Sequence, residues 1–462
     1  MQIQNTLSGK KETLSPAKQK HVQMYVCGIT PYDKSHLGHA RTFVSFDIIR
    51  RYFLFRGYTV TFVQNVTDID DKIIKRAKER KMKPLELSKK YAEESGKEFA
   101  VLGVVKPDFA PKVSEHIPEI VKMIGKIMEN GYAYKTESGV YFDVMKFKGY
   151  GKLSHQDMEQ VRAGARVEVD EKKKHPADFA LWKLGEEDGV TFDSPWGRGR
   201  PGWHIECSAM STTRLGDTLD IHGGARDLIF PHHENEIAQS EAATGKPFVK
   251  LWMHTGFLTV NGEKMAKSLG NFITIEDALK KFSPQQIRMF FAMSHYASPV
   301  DFSETAVGAA GNSLETLHAA VHAAKSYPLP ATGSARLADA AHEAEKKFVE
   351  CMDDDFDTPN ALAALFVLAK KITAACSDGS AGKMDALAAS ATLEKLLSVF
   401  GLEPGEKKLS LSEKEIEEMV RKRDEARKRK DYAESDRIRK ELDDAGILLE
   451  DRKDGTTGWR SK

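Results

Sequence analysis

Three short stretches carry residue types that could do chemistry. Pro231–Glu236 reads Pro-His-His-Glu-Asn-Glu. Proline suits the first helical position, because its fixed φ is right and its missing N–H would be orphaned anyway. A helix opening there sets His232 and Glu236 one turn apart on one face. An imidazole and a carboxylate so placed are half of a metal site. The zincin arrangement His-Glu-x-x-His does not apply, since Ile237 stands four places after His233. On spacing alone the stretch reads as a solvated surface helix. His36-Leu37-Gly38-His39 puts two histidines on one face if a helix begins there. First-turn N–H groups favour an anion, so the pair is placed to grip a triphosphate, and Gly38 lets a nucleotide approach the backbone. Lys264-Met265-Ala266-Lys267-Ser268 lies on a glycine-flanked loop. Two lysines three apart are movable cations for charge that grows on phosphates. Each stretch alone has a bland reading, solvated histidines or solvated charge; the two in this order, across a renewed α/β pattern, favour a nucleotide site.

The elements that must position these residues follow from periodicity. His21–Gly28 is a short buried strand ending in a glycine turn, with Cys27 at its carboxyl end. Apolar spacing from Phe43 to Phe55 predicts a helix that stops at Gly57, and Tyr58–Val66 is β-branched and aromatic, hence a strand. Strand, helix and strand form a βαβ unit, the start of a parallel sheet whose ligands bind at the carboxyl ends of the strands. Residues 112–200 break this rhythm, opening with an amphipathic helix near 114–130, and read as an insertion. The Lys172–Lys174 run there reads as a solvated loop. The sheet pattern resumes near Trp203 and runs through LDIHGG and Val249–His254. From about 306 four alanine-rich helical patterns predict a bundle. The tail from Ser410 holds two charged helices and a strand, ILLED. The acidic run Thr67–Asp71 suits a metal site or, at least as well, loop and helix-cap duty.

Composition bounds the rest. The chain has 462 residues, enough for several domains; 41% are hydrophobic and 30% charged, as in ordinary globular proteins. No run of eighteen apolar residues suggests a membrane span, and the first residues lack the plan of a signal peptide. Four scattered cysteines make no disulfide framework, so a reducing, cytoplasmic setting is expected. Cys351 and Cys376 fall in the bundle and read as small buried apolar residues. A net charge of +1 means that any nucleic acid is met by local basic patches rather than an overall field.

His36–His39 matches the class I aminoacyl-tRNA synthetase signature His-Ile-Gly-His, with Leu37 for isoleucine. Lys264–Ser268 matches Lys-Met-Ser-Lys-Ser, with Ala266 for serine. Nearly the whole chain resembles the cysteinyl-tRNA synthetase family, through YVCGITPYDKSHLGHART, FVQNVTDIDDKII, GRPGWHIECSAM, LDIHGGARDLIFPHHENEIAQS, GEKMAKSLGN, SHYASPVDFS and LEDRKDGTTGWR in order. The resemblance implies an α/β fold. A Rossmann-like parallel-sheet catalytic domain spans 1–305, with the connective insertion at about 112–200. An α-helical bundle follows at 306–404, then a small C-terminal α/β anticodon-binding domain at 405–462.

It also implies roles. One Zn²⁺ is held by Cys27, Cys207, His232 and Glu236, and Thr67, Trp203 and Asp227 line the amino-acid pocket. His36, Gly38 and His39 meet ATP, which enters with Mg²⁺, and Lys264 and Lys267 close over its phosphates. Arg427, Asp436 and Asp451 read anticodon bases, with Trp459 as a stacking platform. The partners are L-cysteine, ATP and tRNA(Cys), and the protein is expected to be a monomer. A zinc has a physical reason here. An apolar pocket separates near-isosteres such as cysteine and serine by only ~10–200-fold, whereas a soft thiolate binds zinc and a neutral hydroxyl does so poorly. Two other readings stand beside this one. A ligase joining cysteine to an amino-sugar would need no anticodon domain, and a non-catalytic zinc- or RNA-binding paralogue would be expected to have lost ligands.

Overall fold

The computed structural model describes residues 1–156, 173–186, 189–265, 269–403, 413–451 and 457–461. They form two compact units, Met1–Glu403 and Pro404–Lys462. In the first, a hairpin of β1 (Gln2–Asn5) and β2 (Lys10–Thr13) precedes the central sheet. β3 (His21–Ile29), α1 (Leu37–Phe55) and β4 (Thr59–Val66) make the expected βαβ unit, with β3 and β4 parallel. α1 begins six residues ahead of the apolar spacing because His36 caps it, and it is buried along most of its length. After α2 (Asp71–Arg80) and α3 (Pro84–Val101), the stretch expected to be an insertion holds α4 (Ile117–Glu129) and an antiparallel sheet of β5 (Ala133–Lys135), β6 (Gly139–Phe142), β7 (Phe179–Leu184) and β8 (Gly199–Pro201).

The chain then returns through α5 (Trp203–Leu215), β9 (Leu219–Ala225), α6 (Glu234–Thr244) and β10 (Val249–Thr255). The central sheet has the order β10-β9-β3-β4, and every pair in it is parallel. Chain order reverses between β3 and β9, so a crevice opens at their carboxyl ends. Cys27 stands near that point, and His222 lies midway along the neighbouring β9.

One expectation is corrected. Pro231 does not open a helix: it follows a cis peptide bond from Phe230 and lies inside an irregular wide turn, Ile229–His233. α6 starts only at Glu234. His232 and Glu236 still meet, because the turn keeps them four residues apart on one side.

A small sheet of β11 (Leu258–Val260), β12 (Glu263–Lys264) and β13 (Val300–Phe302), with α7 (Ile275–Leu279) and α8 (Pro284–Ala292), leads to the bundle of α9 (Glu304–Ser326), α10 (Leu337–Asp353), α11 (Thr358–Ser377) and α12 (Lys383–Val399). α11 alone among the described helices is long and apolar enough to cross a membrane, and half of that stretch is buried among its neighbours. Cys351 and Cys376 are buried in the bundle core. The fully buried Arg288 ties the parts together. It donates to Asp47 of α1 at 2.6 Å, to the carbonyl of Phe400 just beyond α12 at 2.7 Å, and to that of Leu102 after α3 at 3.1 Å. In the second unit α13 (Glu413–Lys428) and α14 (Tyr432–Asp444) pack with the hairpin β14 (Ile447–Asp451) and β15 (Thr457–Ser461) around Ile416, Val420, Ile438, Leu442 and Ile447.

Candidate metal centre and nucleotide site

Cys27 from β3, Cys207 from α5, His232 from the wide turn and Glu236 from α6 converge with their ligand atoms within 4.8 Å of one another. Cys27 Sγ is 3.9 Å from Cys207 Sγ and 3.6 Å from Glu236 Oε1, and His232 Nε2 is 3.0 Å from Glu236 Oε1. All four are buried. A second set shares two of these residues: Cys27, His222, His233 and Glu236. His204 and His254 complete a group of five histidines. His204 Nδ1 lies 2.9 Å from His232 Nδ1, which leaves His232 Nε2 turned to the cluster.

The pocket's electrostatics favour a cation. Burial opposes a charge on His232, but Glu236 and Cys207 outweigh it and lift the imidazole to about 10. Burial equally opposes the Glu236 carboxylate, yet His222 and His232 hold it down to about 2. The Cys207 thiol falls to about 6, first through its hydrogen bond with Cys27, whereas burial pushes Cys27 well up. Glu236 Oε2 and His222 Nδ1 are buried without a hydrogen-bond partner. Such a concentration of donors away from water is costly unless a cation meets it.

The nucleotide motif is a helix cap built from two imidazoles. His36 Nδ1 accepts the Gly38 N–H at 3.1 Å, His39 Nδ1 accepts the His36 N–H at 3.5 Å, and the rings stack with centroids 3.7 Å apart. Burial, then His36, lowers the His39 pKa well below its ordinary value. A neutral ring whose Nδ1 accepts carries its proton on Nε2, so both histidines can donate to phosphate oxygens without being cations. Gly38 has a further reason to be glycine: a Cβ there would stand 2.9 Å from His36 Nδ1. The same Cβ would lie 3.6 Å from the Met265 methyl group, which places the start of the lysine loop beside α1. Lys264 pairs through its backbone with Thr259. Its side chain, together with Ala266, Lys267 and Ser268, lies outside the described residues.

Comparison with known proteins follows this geometry. Residues 13–312 match the pattern of "tRNA synthetases class I (C) catalytic domain", residues 347–403 a DALR domain, and residues 412–460 a "Cysteinyl-tRNA ligase anticodon binding domain". The chain is 46% identical to a cysteine–tRNA ligase of Chromohalobacter salexigens, with 99% of each chain covered. It is 47% identical to one of Thermococcus onnurineus, over 100% of this chain and 99% of that one. The chain belongs to the class I cysteine–tRNA ligase family. Among solved structures, methionyl-tRNA synthetase of Mycobacterium tuberculosis in complex with methionyl-adenylate shares the fold, with a TM-score of 0.62 at 16% identity over 83% of this chain and 90% of that one.

The remaining expected residues of this synthetase divide. Thr67, buried at the end of β4, accepts from Asn65 Nδ2 at 3.1 Å. Trp203 opens α5 with its ring 4.3 Å from that of His232, forming one wall of the metal pocket. Asp227 sits on the exposed turn Arg226–Leu228. The acidic run does cap and pairing work: Asp70 caps α2, Asp68 accepts from Ser114, and Asp71 pairs with Lys183 and Arg200. In the second unit Arg427 of α13 and Asp436 of α14 are exposed, Trp459 packs partly onto the small core, and Asp451 ends β14. Lys173 and Lys174 of the insertion lie over Tyr141 and Tyr134, and Lys172 lies outside the described residues. Sequence reasoning passed over His222, His204 and His254 and left His233 unassigned. His254 sits near the carboxyl end of β10, the one signal that pointed to it, whereas His222 lies midway along β9.

Proposed function

We propose that this chain joins L-cysteine to tRNA(Cys) in two ATP-dependent steps, through cysteinyl-adenylate, and acts as a monomer with one Zn²⁺ held by Cys27, Cys207, His232 and Glu236. The observation that carries the reading is the buried two-thiol, imidazole and carboxylate set beside a nucleotide motif in a chain of this family. Its spacings to the Cys27 sulfur suit zinc. Bonds of about 2.3 Å to sulfur and 2.1 Å to oxygen in a tetrahedron place sulfurs about 3.8 Å apart and sulfur and oxygen about 3.6 Å apart, against 3.9 and 3.6 Å here. When bound, zinc supplies a soft Lewis acid that takes a thiolate and leaves serine's hydroxyl unbound.

The chain's own groups do the rest. Trp203 and Thr67 wall the amino acid so that its carboxylate points to the α1 start. There the His36 and His39 Nε2–H groups donate to the phosphates of ATP, which arrives with Mg²⁺. The carboxylate attacks the α-phosphorus and pyrophosphate leaves, with Lys264 and Lys267 neutralising the growing charge. The terminal ribose hydroxyl of the tRNA then attacks the acyl carbon and AMP departs. Arg427, Asp436 and Asp451 read the anticodon, with Trp459 beside them. Cysteine-dependent ATP–pyrophosphate exchange followed by charging of purified tRNA(Cys) tests the whole. Exchange without charging would point to an amino-sugar or another acceptor, and absence of exchange to a binding protein. Removal of residues 405–462 is expected to spare exchange and abolish efficient charging.

A further inference from the structure

Behind the metal cluster runs an unbroken file of side chains that ends in the N-terminal hairpin. Cys27 Sγ lies 3.3 Å from His233 Nε2. His233 Nδ1 lies 2.8 Å from His254 Nε2, and His254 Nδ1 lies 2.8 Å from Thr6 Oγ1. His233 and His254 are buried, and each packs against the Trp252 ring. Gly224 leaves the slot for His233: a Cβ there would stand 2.9 Å from its Cε1 and 3.3 Å from its Nε2. Thr6 is itself fixed, since its N–H donates to the Trp252 carbonyl at 2.9 Å and its own carbonyl meets His155 Nε2 at 3.0 Å. It precedes the segment that matches the catalytic-domain pattern.

These contacts have one consistent direction in the metal-loaded protein. A cysteine that holds a metal does so as a thiolate and has no proton to give. The proton in the 3.3 Å contact therefore sits on His233 Nε2. That leaves His233 Nδ1 as an acceptor, so His254 carries its proton on Nε2, and His254 Nδ1 accepts from the Thr6 hydroxyl. We propose that Thr6, His254 and His233 are positioning residues: a one-way chain that locks the His233 tautomer and gives the Cys27 thiolate an N–H···S hydrogen bond. The bond draws electron density from one of the two protein thiolates, which leaves the bound metal a better acceptor for the thiolate of the substrate. It also assigns His233 to the support of a ligand, separating it from His232 next door. The hairpin residue Thr6 then acts on the metal site from ahead of the segment that matches the catalytic-domain pattern.

The inference rests on the zinc site proposed above, and its test separates the two. Zinc-loaded wild type, His254→Leu, His254→Gln and Thr6→Val are compared by competition with a chelator, by the sulfur-to-metal charge-transfer band after cobalt substitution, and by ¹⁵N NMR of the histidine rings. Glutamine can donate to His233 and accept from Thr6, whereas leucine can do neither. His254→Leu is expected to weaken metal binding ~10–100-fold, the usual effect of losing a group that supports a ligand, and to move the charge-transfer band to lower energy. His254→Gln is expected to stay near wild type, and Thr6→Val to move both readouts in the same direction by less. In wild type the His233 ring is expected in the Nε2–H form. A zinc-loaded protein with His233 in the Nδ1–H form would overturn the chain and leave the zinc site standing. So would a folded His254→Leu with wild-type affinity and an unmoved band. If His254→Leu fails to fold, Thr6→Val decides, and wild-type readouts there overturn the proposal. A wild-type protein that takes up no zinc would sink the site itself.

Discussion

Glu234 and Glu236 stand two residues apart in one motif, are both wholly buried, and do different work. Glu234 Oε1 accepts the Gly151 N–H at 2.9 Å, and its Oε2 accepts the N–H groups of Leu153 and Ser154 at 3.0 and 2.8 Å. It pins the insertion to α6 and turns away from the metal cluster. Glu234→Gln conserves volume but sets an amide N–H₂ against one of these donors. An unsatisfied buried N–H costs about 1–3 kcal/mol, and two bonds falling from the charged to the neutral class cost about 1 kcal/mol each, so the loss is roughly 3–5 kcal/mol. With an m of about 3 kcal/mol/M, that is a drop of roughly 1–2 M in the urea midpoint. Glu236→Gln removes a ligand, and His232 can answer the lost charge by giving up its proton. The assay pairs urea unfolding in chelator, so that metal binding does not contribute, with zinc stoichiometry of the purified proteins. Glu234→Gln should unfold early yet carry its zinc; Glu236→Gln should be depleted of zinc. A Glu234→Gln protein with an unshifted midpoint and an empty site, or a Glu236→Gln protein with full zinc, would refute this division.

Three further outcomes are expected. Cys207→Ser replaces a soft ligand with a hydroxyl, so it should lose zinc by elemental analysis and lose discrimination of cysteine from serine in pyrophosphate exchange. Arg288→Met leaves Asp47 short of one cation and strips the Phe400 carbonyl of its donors. Asp47 keeps Arg51, so the expected loss lies near the lower end of the ~3–5 kcal/mol for a broken buried pair, read as an earlier urea midpoint with zinc content unchanged. His295 contacts Asp355 in the segment that Arg41 holds. Burial would lower its pKa, but Asp355 wins and raises it. Its contribution to stability is therefore complete below about pH 6.5, the unperturbed histidine value, and fades as pH rises through the raised value. The difference in Tm between wild type and His295→Gln should shrink from acid to alkaline pH, and a constant difference would refute this.

The βαβ start and the four bundle helices were legible because each rests on a local period that burial enforces. Element ends were less so. The apolar spacing that begins at Phe43 cannot report that His36 caps a helix through polar contacts, and proline's preference for a first turn cannot report a wide turn around Pro231. In the candidate site, Cys27, Cys207, His232 and Glu236 were named from the resemblance, not from spacing, since only the last pair is local. His222 and His254 belong to two strands brought together by parallel pairing. Thr6 joins them from the separate N-terminal hairpin through its N–H to the Trp252 carbonyl, and a lone histidine on a strand gives no hint of its partner. Such residues are read only once the register is known.

The strand order also explains why two unlike chemistries share one crevice. Cys27 lies near the end of β3 and His36 opens α1, so a single loop separates the buried metal-ligand cluster from the histidine cap. The first is a buried, charged cluster in which Glu236 and His232 polarise each other; the second is a pair of histidines engaged in a helix cap, where burial disfavours charge on His39. A cation suits the first and an anion the second. Under the proposed function, an amino acid anchored by its side chain at one end and presenting its carboxylate at the other would span that loop. Discrimination at the sulfur and reaction at the carboxylate would thereby be kept on separate groups. A substitution at Cys207 should then alter which amino acid is activated, and one at His39 should alter how fast any amino acid is activated.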